Sequence, residues 1–563
     1  MIQKELLYDY MRHNKKIILI YTIVILIVFP IESVFLPQIY GKLFDSVKKN
    51  YQRLPNLFDN ILINIKSKTS SGLIWKIIFL WCIVVLLHNF KNKYEGIISP
   101  SYLSFIRQKI FKKTLEKYST NYTELQTGKT ITRILDVSRT MKDIITTILS
   151  DLLPIAISVI GILIYLFYVS QRVAIIMLVG LIITLIIIFV FGKKGINKSA
   201  SSEKFFLTMS EKLNDSFGNL MQVYINNETK KEMDKNNTIG NFYKESLQKQ
   251  LIFISDFIGM LSIVSISTFI ISLIIVYDQL KKNMIPSKIF ISIVIILIYY
   301  LGYLMKISNH FPWFISKLGI VKNSQKFLEN ILHNTRDIDN NLRIVKGDIL
   351  FKNVYFKYPK TDKYILENIN VEFQSHKITG IIGQSGSGKS TLVKLLLKMN
   401  HIQGGEILID GININKIDTN YLRDKIIYIN QKTSLFNNTI LDNILYGNNN
   451  LKERDVLKII KKYNLESVYQ ELKNGIYENS GPNGSNLSLG MQKVTILLRG
   501  ILRNGDIIIF DEPLAGLDSN TREKVLKMIK GECNNKTIVI ITHDKEIIPY
   551  CHKVFNIKNI KKK

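Results

Sequence analysis

The chain has 563 residues, 47% of them apolar, and a formal net charge of +30. That length is more than one domain usually holds. Cys82, Cys533 and Cys551 form no close pair, which argues against a disulfide framework or a cysteine metal site. The lysine excess comes without a zinc-knuckle, RNP or helix-turn-helix pattern, so nucleic acid is not the expected partner. In a chain with long apolar runs, such charge belongs beside the membrane, facing anionic lipid.

Residues Met1 to Lys15 are polar and amphipathic, with Leu6, Leu7, Tyr10 and Met11 on one side. They predict a short interfacial helix. Lys16 to Tyr40 is apolar, with Pro30 inside it. The run is longer than a signal-peptide core and lacks a small-residue cleavage site, so it is expected to stay as a membrane helix. Further apolar runs cover about Leu73–Phe90, Leu152–Val169, Val173–Phe191, Leu251–Tyr277 and Ile289–Met305. Each is long enough, or nearly so, for a hydrocarbon core of ~30 Å. Six crossings leave both ends of this half on one side.

The connections alternate in length. Residues 41–72, 170–172 and 278–288 join runs on one side, and 91–150 and 192–250 on the other. The latter two are charged, about sixty residues each, and helical in pattern. They are expected on the cytosolic side, with the nucleotide site described next. The positive-inside rule agrees only in part, because Lys42, Lys48, Lys49, Arg53, Lys66 and Lys68 fall in the first outer connection. Lys76, His88, Asp151 and Asp256 are charges that could mark a substrate path. All lie near run ends, where snorkelling or capping is the simpler account.

From about Ile344 the composition becomes that of a soluble α/β domain. ILFKNVYFKYP (Ile349 to Pro359) alternates like a strand, and its Tyr358 is an aromatic able to stack on adenine. KITGII (Lys377 to Ile382) reads as a buried strand and TLVKLLLK (Thr391 to Lys398) as a helix. Between them stand Gly383, Gln384, Ser385, Gly386, Ser387, Gly388, Lys389 and Ser390, which fit G-x-x-x-x-G-K-[ST]. Strand, glycine loop and helix together aim backbone N–H groups and a helix N-terminus at phosphate. Lys389 is placed for the β- and γ-phosphates and Ser390 for Mg²⁺. Gln431 follows a predicted strand. IIIFDEP ends in Asp511, able to hold the Mg²⁺ water shell, and Glu512, able to polarise an attacking water. IVIITHD ends a further strand at His543, in reach of a γ-phosphate.

In order and spacing these motifs resemble an ATP-binding cassette (ABC) exporter half-transporter over nearly the whole chain. GQSGSGKST resembles the Walker A motif, with Thr391 closing it, and IIIFDE the Walker B. Tyr358 matches the A-loop aromatic, Gln431 the Q-loop, Asp518 the end of the D-loop and His543 the switch histidine. One motif departs. Where the family has LSGGQ, this chain reads LSLGMQKV (Leu487 to Val494). Ser488 and Gly490 match, but Leu489 replaces a glycine, Met491 the glutamine and Val494 an arginine. Gly481 and Gly484 keep the glycines of the preceding X-loop, with Pro482 where an acid is usual.

The resemblance implies a membrane α-helical domain of type I exporter kind over 1–335, then an α/β P-loop NTPase domain over 344–563. It implies short coupling helices near Tyr118–Thr127 and Met209–Gly218. ATP and Mg²⁺ are the expected ligands, the metal on Ser390, Gln431 and Asp511, the last directly or through water. Ser488, Gly490 and Asp518 are expected to meet the partner's nucleotide across a dimer of two halves, identical or paralogous. The implied function is ATP-driven export of a drug, lipid or peptide, with the nucleotide domain in the cytosol. The alternative is a nucleotide-binding regulatory membrane subunit that does not pump.

Overall fold

A computed structural model describes residues 2–51, 68–120, 125, 127–332, 342–358, 361–384, 386–431, 434–544 and 547–557. It divides into two compact units, one of Met1–Lys117 and Leu125–Asn334, the other of Tyr118–Glu124 and Thr335–Lys563.

The first unit is helical. Amphipathic α1 (Ile2–His13) precedes α2 (Lys15–Pro30). Past Pro30 the helix widens into a π-turn, Ile31–Phe35, and continues as α3 (Leu36–Tyr51). Then come α4 (Lys68–Lys117), α5 (Thr127–Thr147), a second π-turn (Ile148–Leu152) and α6 (Leu153–Val169). α7 (Gln171–Gly218), the short α8 (Leu220–Ile225), α9 (Thr229–Lys281), α10 (Ser287–Asn323) and α11 (Gln325–Leu332) complete it. Among the described residues, six helical stretches are long and apolar enough to cross a membrane.

Two expectations change here. The sixty-residue connections are not separate loops but continuations of the crossing helices. α9, with 53 residues, runs for about 80 Å at 1.5 Å per residue. Charge does not break a helix, and these stretches are rich in helix-forming Lys, Glu and Leu. Residues 209–218 are likewise the end of α7 and not a short helix of their own. The break comes at Asn219, just past Gly218, and the short helix is α8. Glycine and asparagine are both poor helix residues, so the pair ends the long helix. The other expected short helix, near Tyr118–Thr127, falls largely on residues outside the described ones.

The second unit holds two sheets. β1 (Ile349–Phe356), β2 (Leu366–Phe373), β4 (Gly404–Ile409) and β5 (Ile412–Asn413) form an antiparallel sheet in the order β2-β1-β4-β5. β3 (Ile378–Ile382), β6 (Ile426–Ile429), β7 (Ile507–Asp511), β8 (Thr537–Ile541) and β9 (Lys553–Asn556) form a parallel sheet in the order β6-β7-β8-β3-β9. β7 and β8 are buried at every position, as their unbroken apolar sequences require for strands covered on both faces. The helices of this unit are α12 (Lys389–Leu396), α13 (Thr419–Lys425), α14 (Ile440–Leu445), α15 (Glu453–Lys462), α16 (Leu489–Ile501) and α17 (Ser519–Glu532).

Candidate nucleotide site

In an open parallel sheet, ligands bind at the carboxyl ends of the strands. Four neighbouring strands, β6, β7, β8 and β3, end in the loops that carry the predicted residues. A cavity of about 620 Å³ opens there. It is lined by Tyr358, Gly383, Gln384, Gly386, Gly388, Lys389, Ser390, Thr391, Gln431, Asp511, Glu512 and His543. The sheet order thus gathers residues that lie far apart in the chain. Ser385 falls outside the described residues. Ser387 is described, and its Oγ is buried with no hydrogen-bond partner.

The glycine loop leaves β3 and turns at once into α12. Gly388, the N-cap of α12, has φ +101°. A Cβ there would stand 2.8 Å from Leu366 Cδ2, so both backbone angle and space demand glycine. Lys389 Nζ donates to the carbonyls of Gly383 and Gln384, at 2.7 and 2.9 Å. The ammonium is thereby held over the loop. Ser390 Oγ donates to Asp511 Oδ2 at 3.0 Å.

Asp511 has a second donor that the motifs did not reveal: Tyr428 OH on β6, 2.8 Å from the same Oδ2. Its only sequence signal was an aromatic near the end of a predicted strand. Glu512 is 8% exposed, and its φ of +52° lies in the left-handed region. Its N–H donates to the Ile541 carbonyl, which ties it to β8. Glu512 Oε1 lies 2.7 Å from His543 Nδ1, and Thr542 Oγ1 donates to Oε2 at 3.4 Å. A non-glycine residue held at positive φ at a strand end is strain of the sort that collects at functional sites.

Lys493, on α16, is another residue without a motif signal, and only 6% exposed. Burial pushes its ammonium below the usual lysine range, and the charges of Asp511 and Glu512 pull it back up. The hydroxyl of Tyr358 lies 3.1 Å from Thr391 Oγ1. Its ring stands edge-on to Phe356, 5.0 Å between centroids. That pins an aromatic face at the cavity rim.

Ser488, Gly490 and Asp518 do not line this cavity. Ser488 and Asp518 instead cap helices. Ser488 Oγ accepts the Met491 N–H at 3.3 Å, and Asp518 Oδ1 the Thr521 N–H at 2.9 Å. Leu489 is 75% exposed. It costs nothing within its own chain and projects outward beside Ser488.

The donor set suits a metal–triphosphate and not a lone metal. Among the described residues, no group of three His, Cys, Asp or Glu could hold an ion. Ser390 and Asp511 converge as a partial oxygen set, which Mg²⁺ would complete with phosphate and water.

Residues 16–305 match the family model of the ABC transporter transmembrane region, and residues 366–515 that of the ABC transporter. A Rickettsia bellii protein, named as an export ATP-binding/permease protein, is 26% identical over 87% of this chain and 85% of its own length. The Escherichia coli alpha-hemolysin translocation ATP-binding protein HlyB is 33% identical, over 35% of this chain and 28% of its own. In fold, the chain resembles a solved bacterial Atm1-family ABC exporter with ATP bound. The TM-score is 0.80 at 17% identity, covering 94% of this chain and 93% of that one. With both family models matched in order along one polypeptide, the chain belongs to the ABC transporters, as an ATP-hydrolysing exporter half that works in a dimer.

Proposed function

We propose that the cavity at the ends of β3, β6, β7 and β8 binds Mg·ATP and hydrolyses it to drive export. The membrane domain covers 1–335 and the nucleotide domain 344–563. The observation that carries the reading is the pair of contacts at the end of β7: Ser390 on Asp511, and His543 on Glu512. In it, Tyr358 stacks on adenine. Lys389 exchanges its two loop carbonyls for the β- and γ-phosphates, and Ser387 Oγ gains the partner it lacks. Ser390, Gln431 and Asp511 would hold Mg²⁺, which would supply neutralisation of the charge developing on the phosphates. Glu512 polarises the attacking water, and His543 orients Glu512 and the γ-phosphate. The nucleotide domain faces the cytosol, because ATP is there.

The transported substrate is a drug, lipid or peptide, and the membrane's lipid is a partner throughout. The second half-transporter is this chain again or a paralogue. Exposed Leu489 replaces the glycine that would approach a partner's nucleotide, which favours pairing with a paralogue whose signature is intact. The test is ATP hydrolysis by the purified full chain, wild type against Glu512→Gln. Equal rates would remove Glu512 as the base.

A further inference from the structure

Two hydroxyls place Asp511, and only one of them belongs to a motif. Ser390 Oγ and Tyr428 OH both donate to its Oδ2, at 3.0 and 2.8 Å. Ser390 stands in the first turn of α12, directly behind the glycine loop. Tyr428 stands on β6 and does not line the cavity. It reaches the site through Asp511 alone.

The sheet explains that reach. β6 and β7 run parallel, with Tyr428 opposite Ile509. Side chains alternate along a strand, so Asp511, two residues past Ile509, faces the same side as Tyr428. One strand across and two residues along is about 8 Å between Cα atoms. A serine or threonine is too short to cover it, and a phenylalanine has no proton to give. The tyrosine ring is half-buried and packs against the apolar core that contains Ile426, Ile507 and Ile509. The hydroxyl is therefore delivered from a side chain that packing already holds.

The same hydroxyl lies 3.2 Å from Asn430 Oδ1. It has one proton to give, and the nearer carboxylate is the stronger acceptor, so Asn430 takes the lesser share. Asn430 immediately precedes Gln431. Tyr428 thus stands between the ends of β6 and β7, beside two of the three residues proposed to hold Mg²⁺. That metal demands near-ideal octahedral geometry, whereas Ca²⁺ accepts varied ones. The hydrogen bonds that orient a ligating carboxylate are accordingly part of a metal site. Ser390 must serve phosphate and metal as well as Asp511, but Tyr428 has only Asp511 and Asn430 to serve.

We propose that Tyr428 is a positioning residue for the metal: its hydroxyl fixes the Asp511 carboxylate in the orientation that favours Mg²⁺ and couples it to ATP. The proposal rests on the Mg·ATP reading of the cavity. A hydroxyl that merely satisfied a buried carboxylate would affect stability and leave the response to metal alone.

The test uses the full chain in nanodiscs and a fluorescent, non-hydrolysable ATP analogue. Its affinity is measured in EDTA and across Mg²⁺ and Ca²⁺ series. Tyr428→Phe should leave the affinity in EDTA unchanged and raise the Mg²⁺ concentration of half-maximal effect about tenfold. The Ca²⁺ series should move less. On an Asp511→Asn background, adding Tyr428→Phe should change nothing further, because the effect passes through Asp511. Thermal unfolding reports whether each variant folds. Tyr428→Met, which fills much of the space without a donor, carries the same expectation if Tyr428→Phe does not fold. An unchanged Mg²⁺ response in the folded variant, an equal loss in EDTA and in Mg²⁺, or a further loss on top of Asp511→Asn overturns the proposal. A wild type that binds the analogue under no condition defeats the Mg·ATP reading itself, whereas binding whose Mg²⁺ response ignores Tyr428 defeats only this inference.

Discussion

Glu512 carries the strongest prediction at the residue scale. It is buried, strained at φ +52°, tied to β8 through its N–H, and 2.7 Å from His543. Glu512→Gln keeps the shape and removes the carboxylate proposed as the base. Turnover should fall roughly 10²–10⁴-fold, with ATP binding near normal and the closed dimer accumulating. Lys389→Ala should weaken ATP binding, read by nucleotide fluorescence, because Lys389 is the one lysine or arginine lining the cavity among the described residues. Tyr358→Ala should weaken ATP but spare inorganic triphosphate, since only adenine is stacked; equal losses for both would take Tyr358 out of the site. These residues were legible because each stands in a fixed local pattern. Tyr428 and Lys493 were not, because their relation to Asp511 exists only once β6 and α16 lie beside β7.

At the scale of elements, α16 decides how the departing signature is read. Ser488 caps it, and Leu489 extends from its first turn into solvent. If the leucine obstructs a partner's γ-phosphate, Leu489→Gly should raise the ATPase rate of the chain purified alone. An unchanged, high wild-type rate would show that Leu489 is tolerated.

A second element-scale prediction concerns entry to β1. Asp410 accepts backbone N–H groups from Val345, Lys346, Gly347 and Asp348 at 2.7 to 2.9 Å. Burial alone would raise its pKa, but those four donors outweigh it and hold the carboxyl below the usual range. The folded state thus favours the ionised form. Its contribution is present above the unfolded value of about 3.9 and is lost as pH falls through the lower folded value. Asp410→Asn should therefore destabilise by about 1–2 kcal/mol at pH 7, with the gap narrowing below pH ~4. Thermal unfolding at both pH values checks it; equal gaps would assign the effect to something other than ionisation.

At the scale of the whole molecule, the question is pairing. If Leu489 obstructs the partner's nucleotide, a homodimer would have both ATP sites impaired alike, whereas a paralogue with an intact signature would restore the site built on this chain's Walker motifs. Co-purification with such a partner should raise turnover per Walker-intact site above that of the chain alone; the same rate in both preparations would count against asymmetric pairing.

The sequence by itself determined the order of six apolar runs and a nucleotide unit, and the identity of the phosphate loop. Those depend on local properties: run length against bilayer thickness, period, and glycines that only one backbone path can use. It did not show where the long helices end, because a charged stretch of helical pattern does not reveal whether it continues the crossing helix or stands as a separate one. The tertiary structure alone decided which side chains meet. Ser390 and Asp511 are 121 residues apart, Tyr428 and Asp511 83, Glu512 and His543 31. Such contacts follow from strand order and helix packing, which bring distant positions together through burial that no local window contains.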